Sequence, residues 1–314
     1  MVQVLAVGLL AGWHAANWGA YKDTPYEGFR WASYVRSVVV AGAAALVLGW
    51  LAGFDSVPSL LVLLGMVYTI ERFATEWWKS IVREQDQSIY TIPMRLGVRG
   101  RTVDRRGRRY AVGIGTVVVL VLLAGAGELV QRSLPPQPWL VTVLVGGGGG
   151  WLTAVGGAWK DAPIEGFSGW KFLRSPVVAT AWAVPLSALT DSWVVLAISA
   201  AGFAVAGIET YKTFLTGGRP PGKFADKPVR YVASTARGVF ALLHALLWAA
   251  LALGIAVSVS LGLVAPTQQF ASSLIGLVAL VLAGSVPVAL SWVTLRRRTV
   301  SVPGSVHERA DEGR

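Results

Sequence analysis

KDTPYEGF occupies residues 22–29, and KDAPIEGF occupies residues 160–167. The same charged octapeptide thus stands twice, 160 − 22 = 138 residues apart, in a chain that is 54% hydrophobic and only 14% charged. Working outward from it, residues 12–37 align with 150–175 without a gap and match at 13 of 26 positions. Gly12/Gly150, Trp13/Trp151, Arg36/Arg174 and Ser37/Ser175 are among the matches, and Ile70-Glu71 recurs as Ile208-Glu209. Agreement this far outside the octapeptide predicts a duplicated structural unit.

Composition indicates what that unit is made of. A soluble domain carries about 25% charged residues, well above this chain. Stretches such as VVVAGAAALVLGWL (38–51) and AVGIGTVVVLVLLAG (111–125) are too apolar for a surface in water, and roughly 20 such residues cross a bilayer as a helix. Nine spans are expected, near 2–20, 32–54, 57–78, 110–130, 138–158, 171–190, 193–214, 236–263 and 270–294. Turn-rich breaks such as GFDSVP (53–58), LPPQP (134–138) and APTQQ (265–269) separate them.

The expected fold is therefore all-α, a polytopic helical membrane protein of about nine transmembrane helices. It divides into two parallel four-helix repeats, 1–135 and 136–265, an additional transmembrane helix within 266–296, and a disordered cytoplasmic tail over 297–314. Four is an even number of spans, so both copies cross in the same direction, and a pseudo-two-fold axis along the membrane normal relates them.

Charge orients this bundle. Of the 28 Lys and Arg residues, 27 fall in the connections 21–31, 79–109, 159–170 and 215–235, in the tail from 295, or in adjoining span ends; Arg132 is the exception. The positive-inside rule makes that side cytoplasmic. The expectation is a multi-pass protein of the cell (inner) membrane, with its N-terminus outside and its C-terminus in the cytoplasm. The first stretch has no basic residue ahead of its apolar run, so it is expected to be a retained span and not a cleaved signal. The chain has no cysteine, which excludes disulfides, thiolate metal sites and cysteine nucleophiles.

Candidate functional residues follow from the duplication. Pro25 disfavours helix at Thr24 and Gly28 permits positive φ. The octapeptide is therefore expected to be a compact turn that holds Lys22, Asp23 and Glu27, with their twins Lys160, Asp161 and Glu165, at the membrane boundary. Arg36, Glu71, Arg174 and Glu209 fall inside spans, where a charge costs about 2.5–3.5 kcal/mol, so they must face the protein interior. The simplest arrangement pairs Arg36 with Glu71 and Arg174 with Glu209, while Asp23 and Glu27 cap the second helix.

The functional arrangement makes all ten the ion or substrate pathway of a transporter or channel-like protein. Its pseudo-two-fold charged site would open to the cytoplasm and move a small ion or solute. In an alternative, the carboxylates hold Mg²⁺ while lysine and arginine bind the phosphates of a phosphorylated lipid or polyprenol, as in a membrane-embedded transferase at the cytosolic leaflet. A non-catalytic scaffold subunit is the third reading. No residue is assigned a catalytic role, and no histidine or carboxylate set has the spacing of a resident metal site.

The remaining features have plainer readings. Residues 79–109 carry nine Lys or Arg against Glu84, Asp86 and Asp104, a composition expected to face anionic membrane lipid headgroups. Topology accounts for the net charge of +11, so no nucleic-acid partner is expected. ERFATEWWKSIVREQD (71–86) has no full counterpart in the second half and is where one half would have specialised. GRPPGKF (218–224) lacks P-loop spacing. His14 and His244 are expected to form interhelical hydrogen bonds, and GGGGG (146–150) to allow close helix contact. The aspartate-rich motifs of membrane prenyltransferases, the glycine–aspartate pattern of CDP-alcohol transferases and HExxH are all missing.

Overall fold

In an apolar environment a helix satisfies its own backbone hydrogen bonds. In the computed structural model, which describes residues 1–133, 141–187, 189–215, 222–231 and 234–260, the apolar stretches are helical. α1 spans Val2–Glu27, α2 Trp31–Ala52, α3 Val57–Trp77, α4 Arg106–Ser133, α5 Gly147–Glu165, α6 Gly169–Leu186, α7 Trp193–Thr210 and α8 Ser234–Ser260. These lie where the sequence places its first eight spans. The ninth, 270–294, and the tail lie outside the described residues.

Wider π-type turns continue α3 through Trp78–Val82 and α7 through Tyr211–Leu215, and another, Val141–Gly146, leads into α5. Among the described residues five segments are long and apolar enough to cross a membrane: Trp31–Ala52, Arg106–Ser133, Val141–Glu165, Trp193–Leu215 and Arg237–Gly254. The chain is thus all-α in character and compatible with a membrane-embedded protein. Its one departure among the described residues is a small antiparallel hairpin, β1 (Gly97–Val98) with β2 (Arg101–Thr102). Two-residue strands carry no periodic signal, so the sequence did not announce it.

Glycine and alanine set how the helices approach. A Cβ on Gly12 would lie 2.5 Å from the Ser37 carbonyl oxygen and 2.9 Å from the Ala41 Cβ. On Gly150 it would lie 2.5 Å from the Ser175 carbonyl oxygen and 2.7 Å from the Ala179 Cβ. Gly8 against Ala45 and Gly146 against Ala183 repeat the pattern one turn earlier. The α1–α2 and α5–α6 hairpins are therefore zipped in the same register, which gives the shared Gly12/Gly150 and Ser37/Ser175 a packing reason.

At the centre α3 crosses α7, and a Cβ on Gly202 would fall 1.9 Å from the Gly65 carbonyl oxygen. The Thr69 hydroxyl donates to the Ile198 carbonyl (2.6 Å) and the Ser199 hydroxyl to the Val62 carbonyl (3.0 Å), locking the crossing. Core side chains fill either side of it: Met66, Trp182 and Phe203 on one flank, Val4, Leu63 and Val67 on the other, with Trp248 of α8 touching both. α4 stands apart. The Trp77 indole donates to the Gly113 carbonyl (3.1 Å) near one end, and the Gln131 amide to the Asp191 carbonyl (2.7 Å) at the other. Only 6% of its apolar window is buried.

The octapeptides depart from the expected turn. Helix α1 runs through Pro25 to Glu27, and α5 runs through Pro163 to Glu165. Gly28 (φ 74°, ψ 164°) and Gly166 (φ 84°, ψ 160°) end them, in a backbone region that is essentially glycine-only. Proline is tolerated because it falls in a last turn whose loose groups find other partners. The Thr24 hydroxyl bonds the Ala20 carbonyl, and the Pro25 carbonyl accepts the Arg230 and Tyr231 N–H groups at 2.9 and 3.0 Å.

Candidate functional site

Two loops fold over the polar ends of the helices. The Thr91 N–H donates to the Lys223 carbonyl (2.8 Å), and the Lys227 ammonium to the Ser88 carbonyl (2.8 Å), joining the loop after α3 to the segment 222–231. Phe224, fully buried, stacks on Tyr26 at 4.4 Å and lies 5.6 Å from Tyr90. Residues 230–231 close over the first octapeptide through the Pro25 carbonyl. The β-hairpin lies on the second: the Trp159 indole donates to the Gly97 carbonyl (3.1 Å), and Gly100 abuts Pro163. The first octapeptide is thus covered by a loop from the second half, whereas the second is touched by the hairpin and by Gly222 but stays exposed over residues 163–167.

Beneath this cover lies a mixed cluster of charges. The Lys22 ammonium reaches the Glu209 carboxylate at 3.3 Å and sits 3.9 Å over the Trp18 ring. Glu209 also accepts from Lys212 at 3.1 Å. Asp23 binds Lys223 at 2.8 Å. Glu27 lies 3.8 Å from Lys223 and 4.0 Å from Arg83, and accepts the Tyr90 hydroxyl at 2.8 Å. Glu76 accepts from both Arg72 (2.7 Å) and Lys79 (2.9 Å). The Lys160 ammonium rests 3.5 Å from the Met94 sulfur, while Asp161 and Glu165 share Lys171.

Both expected membrane-depth ion pairs are replaced. Glu71, wholly buried, faces Arg72 at 3.6 Å instead of Arg36, and Glu209 is taken by Lys22 and Lys212 instead of Arg174. The Nε atoms of Arg36 and Arg174 and both Glu71 carboxylate oxygens are buried without a hydrogen-bond partner among the described residues. The reason is proximity: Arg72 neighbours Glu71 on the same helix, and Lys212 stands three residues after Glu209, where helical side chains meet. Nor do Asp23 and Glu27 cap α2, whose N-cap is Arg30 with no side-chain cap.

Burial tunes the groups beyond the helix ends. It pushes the Lys79 ammonium down to about 8, against the opposing pull of Glu76. Burial and the neighbouring Glu27 carboxylate push the Tyr90 phenol up. A hydrogen bond from Arg109 holds Glu84 below the usual carboxylate range. Among the described residues no three of His, Asp and Glu converge to hold a metal ion. Each acid of the cluster instead faces a cation, so the arrangement suits a charged solute that exchanges partners with lysine and arginine.

Sequence reasoning missed Arg72, Lys212, Lys223 and Tyr90 as members of this cluster. The spacing Arg72–Glu76 and Glu209–Lys212 could have flagged two of them; Lys223 had no local signal. It also treated the histidines singly. His14 bonds the Tyr68 hydroxyl (3.3 Å) and His244 the Thr210 hydroxyl (2.8 Å), interhelical bonds as anticipated. Yet the two rings also meet, centroids 4.0 Å apart, beside a cavity of ≈ 30 Å³ lined by His14, Tyr68 and Trp248. No family model, curated protein or solved structure matches the chain.

Proposed function

We propose that the protein is a multi-pass membrane transporter of a small anionic or zwitterionic solute, with the charged cluster at the polar ends of α1, α3 and α7 as its binding site. The observation that carries this is the pair of cross-chain links, Lys22–Glu209 and Asp23–Lys223, which tie segments 187 and 200 residues apart. Such links are apt as a gate. A solute carboxylate or phosphate can replace Glu209 at Lys22 and Lys212, releasing one half from the other without leaving a cation unpaired. Lys22, Arg72, Lys79, Arg83, Lys212 and Lys223 face Asp23, Glu27, Glu71, Glu76 and Glu209 in this network, a near-balanced set in which an incoming anion takes the place of a carboxylate.

With nine spans and the positive-inside orientation, the cluster opens to the cytoplasm, and the two octapeptides flank a pseudo-two-fold axis. Rocking of the equivalently zipped hairpins would then alternate access, as in parallel-repeat transporters. Uptake of a panel of labelled carboxylates and phosphates into proteoliposomes is the test. Lys22→Gln and Glu209→Gln should each slow uptake at least about tenfold, and the exchange Lys22→Glu with Glu209→Lys should restore part of it. If the wild-type protein moves none of these solutes faster than protein-free vesicles do, transport is the wrong reading.

One observation favours the membrane transferase as a second reading. Lys79, pushed down to about 8 and 2.9 Å from Glu76, has the character of a catalytic acid or base. Mg²⁺-dependent turnover of a phosphorylated lipid, lost in Lys79→Met, would select this reading over transport.

A further inference from the structure

The loop after α3 and the first turn of α4, residues 79–109, carry nine cations, which separate by what they face. Lys79 binds Glu76, and Arg83 faces Glu27. Arg95, Arg106 and Arg109 converge on Glu84, with Arg95 also taking Asp104 at 2.9 Å. That leaves Arg99, Arg101, Arg105 and Arg108, all exposed and outside every ion pair among the described residues. Three of them, Arg101, Arg105 and Arg108, line one open concavity of ≈ 770 Å³ between the hairpin and the start of α4. Asp104 lines it too, already neutralised by Arg95.

What lies beside this concavity indicates its surroundings. Directly after it α4 presents Tyr110, then Val112, Ile114, Val118 and Leu122, exposed by 40 to 65%. Trp159, 62% exposed, stands against β1. Tyrosine and tryptophan at the start of a bare hydrocarbon face mark the membrane–water interface. The arginines therefore sit at headgroup level, at the end of a helix with little protein around it.

The geometry points to Arg101, Arg105 and Arg108 as a binding site for the phosphate of an anionic membrane lipid whose acyl chains lie along the outer face of α4. Guanidinium groups match phosphate oxygens with paired N–H donors. Glu84 serves the site from behind by drawing in Arg95, Arg106 and Arg109, which fixes the hairpin and leaves the other three facing outward. This inference rests on membrane embedding and not on transport, so either can fail alone.

The test uses the full-length chain in neutral detergent, mixed with phosphatidylglycerol or phosphatidylcholine, with bound lipid counted by native mass spectrometry. Phosphatidylglycerol should be retained in preference. Its retention should fall at least about tenfold in R101Q/R105Q/R108Q and stay unchanged in Arg30→Gln, an exposed arginine at the start of α2. Equal retention by the triple variant and the wild type overturns the site. Displacement of the lipid by millimolar inorganic phosphate also overturns it, because the site would then serve free anions. If the triple variant does not fold, trypsin cleavage after Arg101 and Arg105 of the wild-type chain decides. Phosphatidylglycerol, and not phosphatidylcholine, should slow it several-fold, and an unchanged rate counts against the site.

Discussion

Lys22 pairs with Glu209 across 187 residues of chain, whereas the equivalent partners Lys160 and Glu71 do not pair. Lys160 contacts the Met94 sulfur, and Glu71 faces Arg72. The two hairpins are alike in their glycine contacts and unlike in their charges. The asymmetry has a local cause: Arg72 occupies the place beside Glu71 where the second half has Thr210.

The pair should be energetically coupled. Lys22→Gln and Glu209→Gln should each destabilise the folded chain by about 2 kcal/mol, the scale of a lost hydrogen bond to a charged group. The double variant should cost less than the sum, leaving a coupling of roughly 1 kcal/mol. Unfolding in detergent micelles measures all three, and strict additivity would mean that the contact contributes nothing.

At the α3–α7 crossing there is no room for a methyl group. Gly202→Ala should destabilise by about 1–3 kcal/mol through overpacking, because its Cβ would meet the Gly65 carbonyl at 1.9 Å. Gly156→Ala, with nothing within 4 Å of its Cβ, should be neutral or stabilise by up to about 1 kcal/mol from helix propensity. Thermal midpoints of the two variants should move in opposite directions or by clearly different amounts; equal losses would argue against the crossing.

Lys79 gives a pH dependence with a definite sign. Its folded value of about 8 lies below the ordinary lysine value of 10.5. Between those limits the unfolded chain holds more protons than the folded one, so stability rises with pH through this window. Below pH 8 the burden of burying the charged form is fully present. Wild type should therefore gain stability relative to Lys79→Met as pH rises from 8 to 10.5. A gap that stays constant with pH would show that Lys79 titrates like any surface lysine.

Glu84 carries the same sign for the opposite reason, because here the charged form is the one that the fold favours. Its carboxyl is held low by the Arg109 hydrogen bond, so its contribution is present above the usual carboxylate value of about 4.3 and is lost as pH falls through the folded value. Hydrogen exchange at Val103, whose N–H bonds the Leu96 carbonyl at 2.8 Å, reports on the hairpin. Its protection relative to the intrinsic exchange rate should fall in Glu84→Gln at neutral pH, and in the wild type as acid protonates Glu84. If the variant exchanges like the wild type, Glu84 does not organise the hairpin.

Helix positions were legible because apolar runs and glycine spacing are local properties. Gly12 and Gly150 could be matched by eye, and they sit in matching contacts. Charge partners were not legible. Lys223 meets Asp23 only because the 222–231 segment folds back over α1, and His14 meets His244 only because α8 packs against α1. The octapeptide was misjudged for a related reason. Local rules end a helix before Pro25, but the backbone of Arg230 and Tyr231 satisfies the last-turn carbonyl from outside. Tertiary partners decided each of these points.

The contacts of each octapeptide with the other half have a consequence for autonomy. A chain severed after Ser133 yields an N-terminal fragment without the 222–231 strap over Gly28 and a C-terminal fragment without the hairpin beside Trp159. The first fragment loses the cover of its charged helix end, and the second keeps Gly222 against Glu165 but loses the Gly97 carbonyl that anchors Trp159. The two should accumulate in membranes only when produced together, so that a gene fused end to end behaves as an obligate heterodimer.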